Sequence, residues 1–223
     1  RGSDLSGNPT DAASGEYCVP GDTATCRAPV GEWRFDEKEG GTAYDTSGNG
    51  NNGTLGASAA SASDDPQWTR GKLGAGLEFD GEDDYVDAGT SDDLKVGGLQ
   101  PATWQAWIKP RERNGGNQVD YFLSKGEYTF GSTLYTIGVN KNDGSADEAK
   151  VYFGTQNSYS WTYQESNSAL QWDEWSHISI TWDGNNSMSI YINGVLDNFI
   201  STMSSSDFPT SDNLVNWVGA LQN

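Results

Sequence analysis

The 223-residue chain reads as all-β, a sandwich or jelly roll of two antiparallel sheets. Three observations lead there. From about residue 31 onward, short stretches alternate with period two, Gly, Asn and Asp clusters separate them, and no long stretch repeats every 3.6 residues. Hydrophobic content is modest at 34%, yet aromatics reach 12% with nine Trp, so apolar material is concentrated in a few large side chains that suit facing sheets. A chain of this length can bury roughly 70% of its unfolded surface, enough for a true core.

The strands follow in order. "GEWRFD" (31–36), "AGLEFD" (75–80) and "DYVDA" (84–88) are short extended runs bounded by Gly and Asp. In "ATWQAWIKP", Ala102, Trp104, Ala106 and Ile108 share one face, the pattern of a half-buried strand. "YFLSKG", "TLYTIGV", "KVYFGT" and "YSWTYQ" continue the series to residue 164. The sharpest local signal is "TWDGNNSMSIYINGVLDNFI", where "DGNNS" and "NG" each follow an alternating run and supply residues that tolerate positive φ, predicting a three-strand meander. Ile178, Ile180 and Trp182, then Met188, Ile190 and Ile192, form its inward faces, and "LVNWVG" (214–219) is the last strand.

Residues 1–27 read as a flexible N-terminal linker, and 28–223 as the folded domain. "RGSDLSGNPTDAASGE" is poor in hydrophobics and rich in Gly, Ser, Asp and Asn. Cys18 and Cys26 enclose "VPGDTAT", whose Pro-Gly turn brings their Cα atoms within bridging range, so a small disulfide loop is expected and with it an exported protein. A zinc pair would need two further soft ligands, and the single histidine, His177, is far away in sequence. The N-terminus lacks a basic segment followed by an apolar one, so the chain reads as a mature or excised piece.

Thirty-two acidic residues against 13 basic ones give a net charge of −19, which excludes nucleic acid as a natural partner because phosphate would be repelled. The acids are scattered, as on the solvated surface of a salt-adapted protein; a calcium-rich extracellular setting is the rival explanation. No apolar run approaches the roughly 18 residues of a membrane span, so direct membrane insertion is not expected.

Five blocks, "GEWRFDEKEGGTAYDTSGNGNNGTL", "GKLGAGLEFDGEDDYVDAG", "TWQAWIKP", "YFLSKG" and "WSHISITWDGNNSMSIYINGVLDN", occur in an order that resembles the laminin G-like jelly roll of the concanavalin A-like lectin/glucanase superfamily, over residues 31–219. The resemblance implies two antiparallel sheets, an extracellular location, secreted or on the cell surface, and roles spread over glycan binding, adhesion and service beside catalytic domains. Family members continue past "WVGALQN" into a further strand, which this sequence lacks, so an open edge is expected beside "GEWRFD".

"AYDTSGNGNNGTL" places Asp45, Ser47, Asn49 and Asn51 at alternate positions of a glycine-bearing segment, where a tight curl could aim hard oxygens at one centre. Asp36, Asp80, Asp83 and Asp84 could converge from neighbouring loops. The competing reading is an Asx-rich turn whose side chains satisfy their own backbone. Resemblance to members carrying D-x-S-G-N after the first strand implies Ca2+ at Asp45 and Asn49, joined by Asp36 and Asn51.

Tyr159, Trp161 and Tyr163 fall on one side of a strand in "SYSWTYQ", with Gln164, Gln156 and Asn157 nearby. Flat rings match the C–H faces of pyranoses and amides read hydroxyls, so Tyr159, Trp161, Tyr163 and Gln164 form a candidate ligand face; the alternative is that the stripe packs between the sheets. Trp33, Trp104, Trp175 and Trp182 are expected in the core, and His177, without a catalytic partner in sight, as a structural residue.

No strand carries the paired carboxylates of a retaining glycosidase and no G-x-S-x-G elbow appears, so no catalytic residues are assigned. "YFLSKGEYTF" echoes an alginate lyase strand through Tyr121, Lys125, Gly126 and Tyr128, but the companion strands are absent. The sequence therefore predicts a non-catalytic recognition module, stabilised by calcium and binding a cell-surface glycan or polysaccharide. A protein-binding adhesion module of a larger surface protein is the alternative.

Overall fold

The computed structural model describes residues 29–60, 62–95, 100–112, 119–126, 133–141, 149–156, 161–201, 203 and 214–219. Residues 1–28, with Cys18 and Cys26 of the expected disulfide loop, and Tyr159 lie outside the described residues. Within them the chain forms strands β1 (Thr42–Ala43), β2 (Gly53–Leu55), β3 (Gln67–Arg70), β4 (Ala75–Glu78), β5 (Tyr85–Asp87), β6 (Ala102–Ile108) and β7 (Val119–Gly126). Then follow β8 (Thr133–Lys141), β9 (Ala149–Gln156), β10 (Trp161–Leu170), β11 (Ser176–Trp182), β12 (Met188–Ile192), β13 (Val195–Ile200) and β14 (Asn216–Gly219). A single 3₁₀ turn spans Asp92–Leu94, and among the described residues no helix is long and apolar enough to cross a membrane.

An eight-stranded sheet in the order β1-β2-β5-β14-β7-β8-β9-β10 faces a four-stranded one, β13-β12-β11-β6, and every pairing within them is antiparallel. β3 and β4 form a separate hairpin. The alternation seen in the sequence becomes the packing: Tyr135, Ile137, Val139, Val151 and Phe153 of the larger sheet meet Trp104, Ile178, Ile180, Trp182, Met188 and Ile190 of the smaller. Each fully buried aliphatic or aromatic side chain contributes about 1.5–3 kcal/mol. A second cluster, Ala43, Leu55 and Val86 with half-buried Trp33, Phe35 and Trp68, closes one end. Of the four tryptophans expected inside, Trp104 and Trp182 are buried, whereas Trp33 and Trp175 are half-buried.

The meander forms as expected. Asp183 Oδ1 accepts the backbone N–H groups of Asn185, Asn186 and Ser187 at 2.8–3.0 Å, fixing the first turn, and Asn193-Gly194, both at positive φ, make the second. Side chains of β13 then tie it to the other sheet: Asp197 accepts the N–H groups of Asn167 and Ser168 at the bulge of β10, and Asn198 Nδ2 donates to the Glu165 carbonyl at 2.8 Å.

"GEWRFD" does not form the expected strand. It makes a single bridge, Trp33 to Asp45, because Phe35 (φ 55°) and Lys38 (φ 69°) take the left-handed conformation that ends extension. β14 lies inside the larger sheet, between β5 and β7. Among the described residues the end strands of the two larger sheets are β1, β10, β13 and β6.

Candidate functional site

The outward face of the eight-stranded sheet carries a group of aromatic side chains beside buried polar ones. Partners in an antiparallel ladder point to the same side, so one row runs Thr54, Asp87, Trp217, Ser124, Thr136, Gly154, Tyr163 from β2 to β10. A second row runs Tyr121, Gly138, Tyr152, Glu165 across β7 to β10. Both turn away from the inter-sheet core, which takes the intervening residues Leu123, Ile137 and Phe153.

Three tyrosines form a shelf on this face. Tyr121 and Tyr152 meet edge to face with centroids 6.3 Å apart, and Tyr152 and Tyr163 stack at 5.8 Å with planes 19° from parallel. Tyr163 is 60% exposed. Glycine makes the arrangement possible: a Cβ on Gly154 would stand 2.6 Å from the Tyr152 hydroxyl, and one on Gly138 2.7 Å from the Asp120 carbonyl, where β7 bulges against β8. Beyond Glu165, Asn140 donates its amide N–H to the carboxylate, holding a polar rim beside the rings.

Next to the shelf the first row is polar and buried. Trp217 Nε1, Ser124 Oγ and Thr136 Oγ1 stand on three successive strands, each buried and without a hydrogen-bond partner. Tyr85 packs its edge on Trp217 at 5.1 Å. Unpaired buried polar groups are costly, and these three lie beneath the surface of the sheet rather than on it.

Of the ligand face expected from the sequence, Tyr163 joins the shelf and Trp161 opens β10 opposite Gln156. Gln164 pairs with Phe153, on the inward side, so it does not share a face with Tyr163. The structure adds Tyr121, Tyr152 and Trp217, which come from other strands. Their signal was the pair of glycines, Gly138 and Gly154, set on neighbouring strands among aromatic residues, but only the register aligns them.

The four residues expected to share a cation are turned to different tasks. Asp45 Oδ1 accepts the N–H groups of Glu32 (3.0 Å) and Ser47 (2.9 Å), and its Oδ2 accepts Ser47 Oγ–H (2.8 Å) and the Asn51 N–H (2.9 Å). Asn49 and Asn51 donate their amide N–H groups to the Val30 carbonyl at 3.1 and 2.9 Å, while Trp33 Nε1 donates to the Asn51 carbonyl. Asp36 accepts the Ala75 N–H at 2.8 Å, in the β3–β4 hairpin. Asp45, Asn49 and Asn51 thus share one Asx-rich turn in which the Asp45 carboxylate accepts four hydrogen bonds, while Asp36 is engaged with β4. Burial would raise the Asp45 pKa, but the bonds from Glu32, Ser47 and Asn51 bring it below the ordinary aspartate value.

Carboxylates gather instead after β4. Ligand oxygens of Asp80, Asp83 and Asp84 lie within 4.8 Å of one another. Burial, with Asp80, Asp83 and Asp65 adding repulsion, raises the pKa of Asp84 despite the N–H of Asp80 that it accepts.

Two remaining side chains are structural. Lys125 is buried and donates to the Leu94 carbonyl (3.1 Å) and Asn216 Oδ1 (3.3 Å), tying the 3₁₀ turn to β14; burial pushes its ammonium down to about 8. His177 packs half-buried against Trp107 with ring centroids 5.3 Å apart, and burial lowers its pKa.

A family model of the concanavalin A-like lectin/glucanases superfamily, Laminin_G_3, matches residues 80–223. No curated protein matches the chain. Among solved structures, the binding domain of botulinum neurotoxin DC, in complex with rat synaptotagmin II, is similar with a TM-score of 0.61 and 15% identity, over 88% of this chain and 44% of that one. The botulinum neurotoxin serotype C1 binding domain gives 0.60 at 18% over 88% and 44%. Botulinum neurotoxin type C, described as dependent upon interaction with two ganglioside molecules to enter cells, gives 0.56 at 18% over 82% and 41%. The chain spans less than half the length of these structures, and at such identities the likeness is one of fold. Matched by the model over more than half its length, the chain belongs to the Laminin_G_3 family of the concanavalin A-like lectin/glucanases superfamily.

Proposed function

We propose that the protein is a non-catalytic, exported recognition module that binds carbohydrate on the outward face of its eight-stranded sheet and is stabilised by calcium. The observation that carries this reading is the Tyr121–Tyr152–Tyr163 shelf, exposed at Tyr163 and rimmed by Glu165 and Asn140. Rings stack on the C–H face of a sugar, and the Glu165–Asn140 pair at the rim takes its hydroxyls. The strongly acidic composition is read as that of a protein working outside the cell, in salt or calcium.

Binding without turnover is supported by where the carboxylates of this face fall. Asp87 on β5 and Glu165 on β10 are the two that the ladder places there, five strand positions apart, or roughly 24 Å at the usual strand spacing. Glycosidases need their pair about 5 to 9.5 Å apart. Incubation with polysaccharides is expected to release neither reducing ends nor unsaturated products.

A protein partner is the second reading, favoured by β13, an edge strand that exposes Val195, Leu196 and Phe199. A glycan array probed in calcium separates the two. Saturable binding to a defined set of glycans supports the carbohydrate reading. An array that stays blank, alongside capture of a defined surface protein that Phe199→Asp abolishes, would replace it with the second.

A further inference from the structure

We infer that Glu165 makes the tyrosine shelf selective for uncharged, hydroxyl-rich sugars over acidic ones. This rests on the carbohydrate reading above and names the ligand class of that same face.

Glu165 belongs to the shelf by position. The ladder sets it directly opposite Tyr152, in the outward row that runs Tyr121, Gly138, Tyr152, Glu165. Residues opposite one another in an antiparallel pair have Cβ atoms about 4.5–5.5 Å apart, so a sugar seated on Tyr152 has the Glu165 carboxylate beside it.

The carboxylate is fixed before any ligand arrives. The backbone carbonyl of Glu165 accepts Asn198 Nδ2–H at 2.8 Å, and its side-chain Oε1 accepts the amide N–H of Asn140. A carboxylate only accepts hydrogen bonds, so Asn140 has to turn its NH2 group toward it, which leaves one more amide N–H and the amide oxygen for a ligand. Among the described residues no side chain donates to Glu165 Oε2.

These groups discriminate by charge. Sugar hydroxyls bring the O–H donors that a carboxylate oxygen takes in a charge-assisted bond. A uronate carboxylate brings no donor at neutral pH and meets a like charge at contact distance, where Glu165 is half-buried and salt screens it less than an open surface charge. Lys150 also faces outward but stands one row farther, opposite Asn140 and Ala169, with the β10 bulge between it and Glu165. The net charge of −19 disfavours anions too, but from a distance, and its reach falls from about 8 Å at 0.15 M salt to about 3 Å at 1 M.

Calorimetric titration of the full chain with cello-, manno-, laminari- and galactohexaose, each against its C6-oxidised hexauronate, in 0.15 M and 1 M sodium chloride, tests this. Wild type should bind at least one neutral hexasaccharide and its uronate at least about tenfold more weakly, at both salt concentrations. Glu165→Gln should narrow that ratio to within about threefold. Asp87→Asn, five strand positions away on the same face, should keep the wild-type ratio. Because the ratio is taken within one protein, a general weakening caused by a displaced β10 would not change it. Equal affinity of wild type for a neutral hexasaccharide and its uronate, or a ratio that Glu165→Gln leaves in place, would overturn the role of Glu165 while the carbohydrate reading stands. A panel in which nothing binds would remove both.

Discussion

Tyr152 and Tyr163 stack although the ladder does not pair them: Tyr152 stands opposite Glu165 and Tyr163 opposite Gly154, so the rings meet along the diagonal. They can do so because Tyr152 leans over Gly154, which offers no side chain to prop it up. Refilling that space should unstack the pair. Gly154→Ala is expected to keep the fold but weaken glycan binding about two- to tenfold, the value of a lost aromatic pair of roughly 0.5–1.5 kcal/mol. Tyrosine near-ultraviolet circular dichroism, read beside affinity, checks that the rings have moved; an unchanged spectrum with unchanged affinity counts against the shelf.

Asp45 organises its loop by accepting four hydrogen bonds. Asp45→Ala should cost roughly 2 kcal/mol in denaturant unfolding at pH 7, since three backbone N–H groups and a hydroxyl lose their acceptor. The folded pKa lies below the ordinary aspartate value of 3.8, so this stability is present in full above the unfolded pKa and lost as pH falls through the folded one. Wild-type and variant stabilities should therefore draw together as pH falls below the ordinary aspartate value of 3.8. A constant gap across that range would show that the carboxylate charge is not what the loop uses.

Lys125 behaves in the opposite direction. Its folded pKa of about 8 is below the unfolded 10.5, so between those values the unfolded chain holds the extra proton and stability rises with pH. Relative to Lys125→Met, the wild type should gain roughly 2 kcal/mol from pH 8 to pH 10. Parallel stability curves for the two proteins would mean that the ammonium is solvated rather than buried against Leu94 and Asn216.

Much of the fold was legible because burial is written as alternation. Ile178, Ile180 and Trp182 announce an inward face, and "DGNNS" and "NG" announce its turns. What alternation does not carry is left-handed backbone at a bulky residue, and Phe35 and Lys38 end a strand that the pattern of "GEWRFD" would have continued. The site was legible only in part. Tyr163 was visible from its own strand, but its neighbours Tyr121 and Tyr152 depend on the β7–β8–β9–β10 register, which no single stretch encodes. The Asp45 loop shows the other limit: calcium loops and Asx-turns use the same residues, and the bonds that Asp45 accepts from Ser47 and Asn51 are not written in their order along the chain.

The central claim is that sugar rings stack on the outward tyrosines. It is tested most directly by calorimetric titration of an array-selected glycan into wild type and Tyr163→Ala, because Tyr163 is exposed and its loss should leave the melting point within about 1 °C. Tyr163→Ala should weaken binding at least about fivefold, the scale of one lost ring contact. Equal affinity for the two proteins would place the ligand elsewhere on the molecule and contradict it.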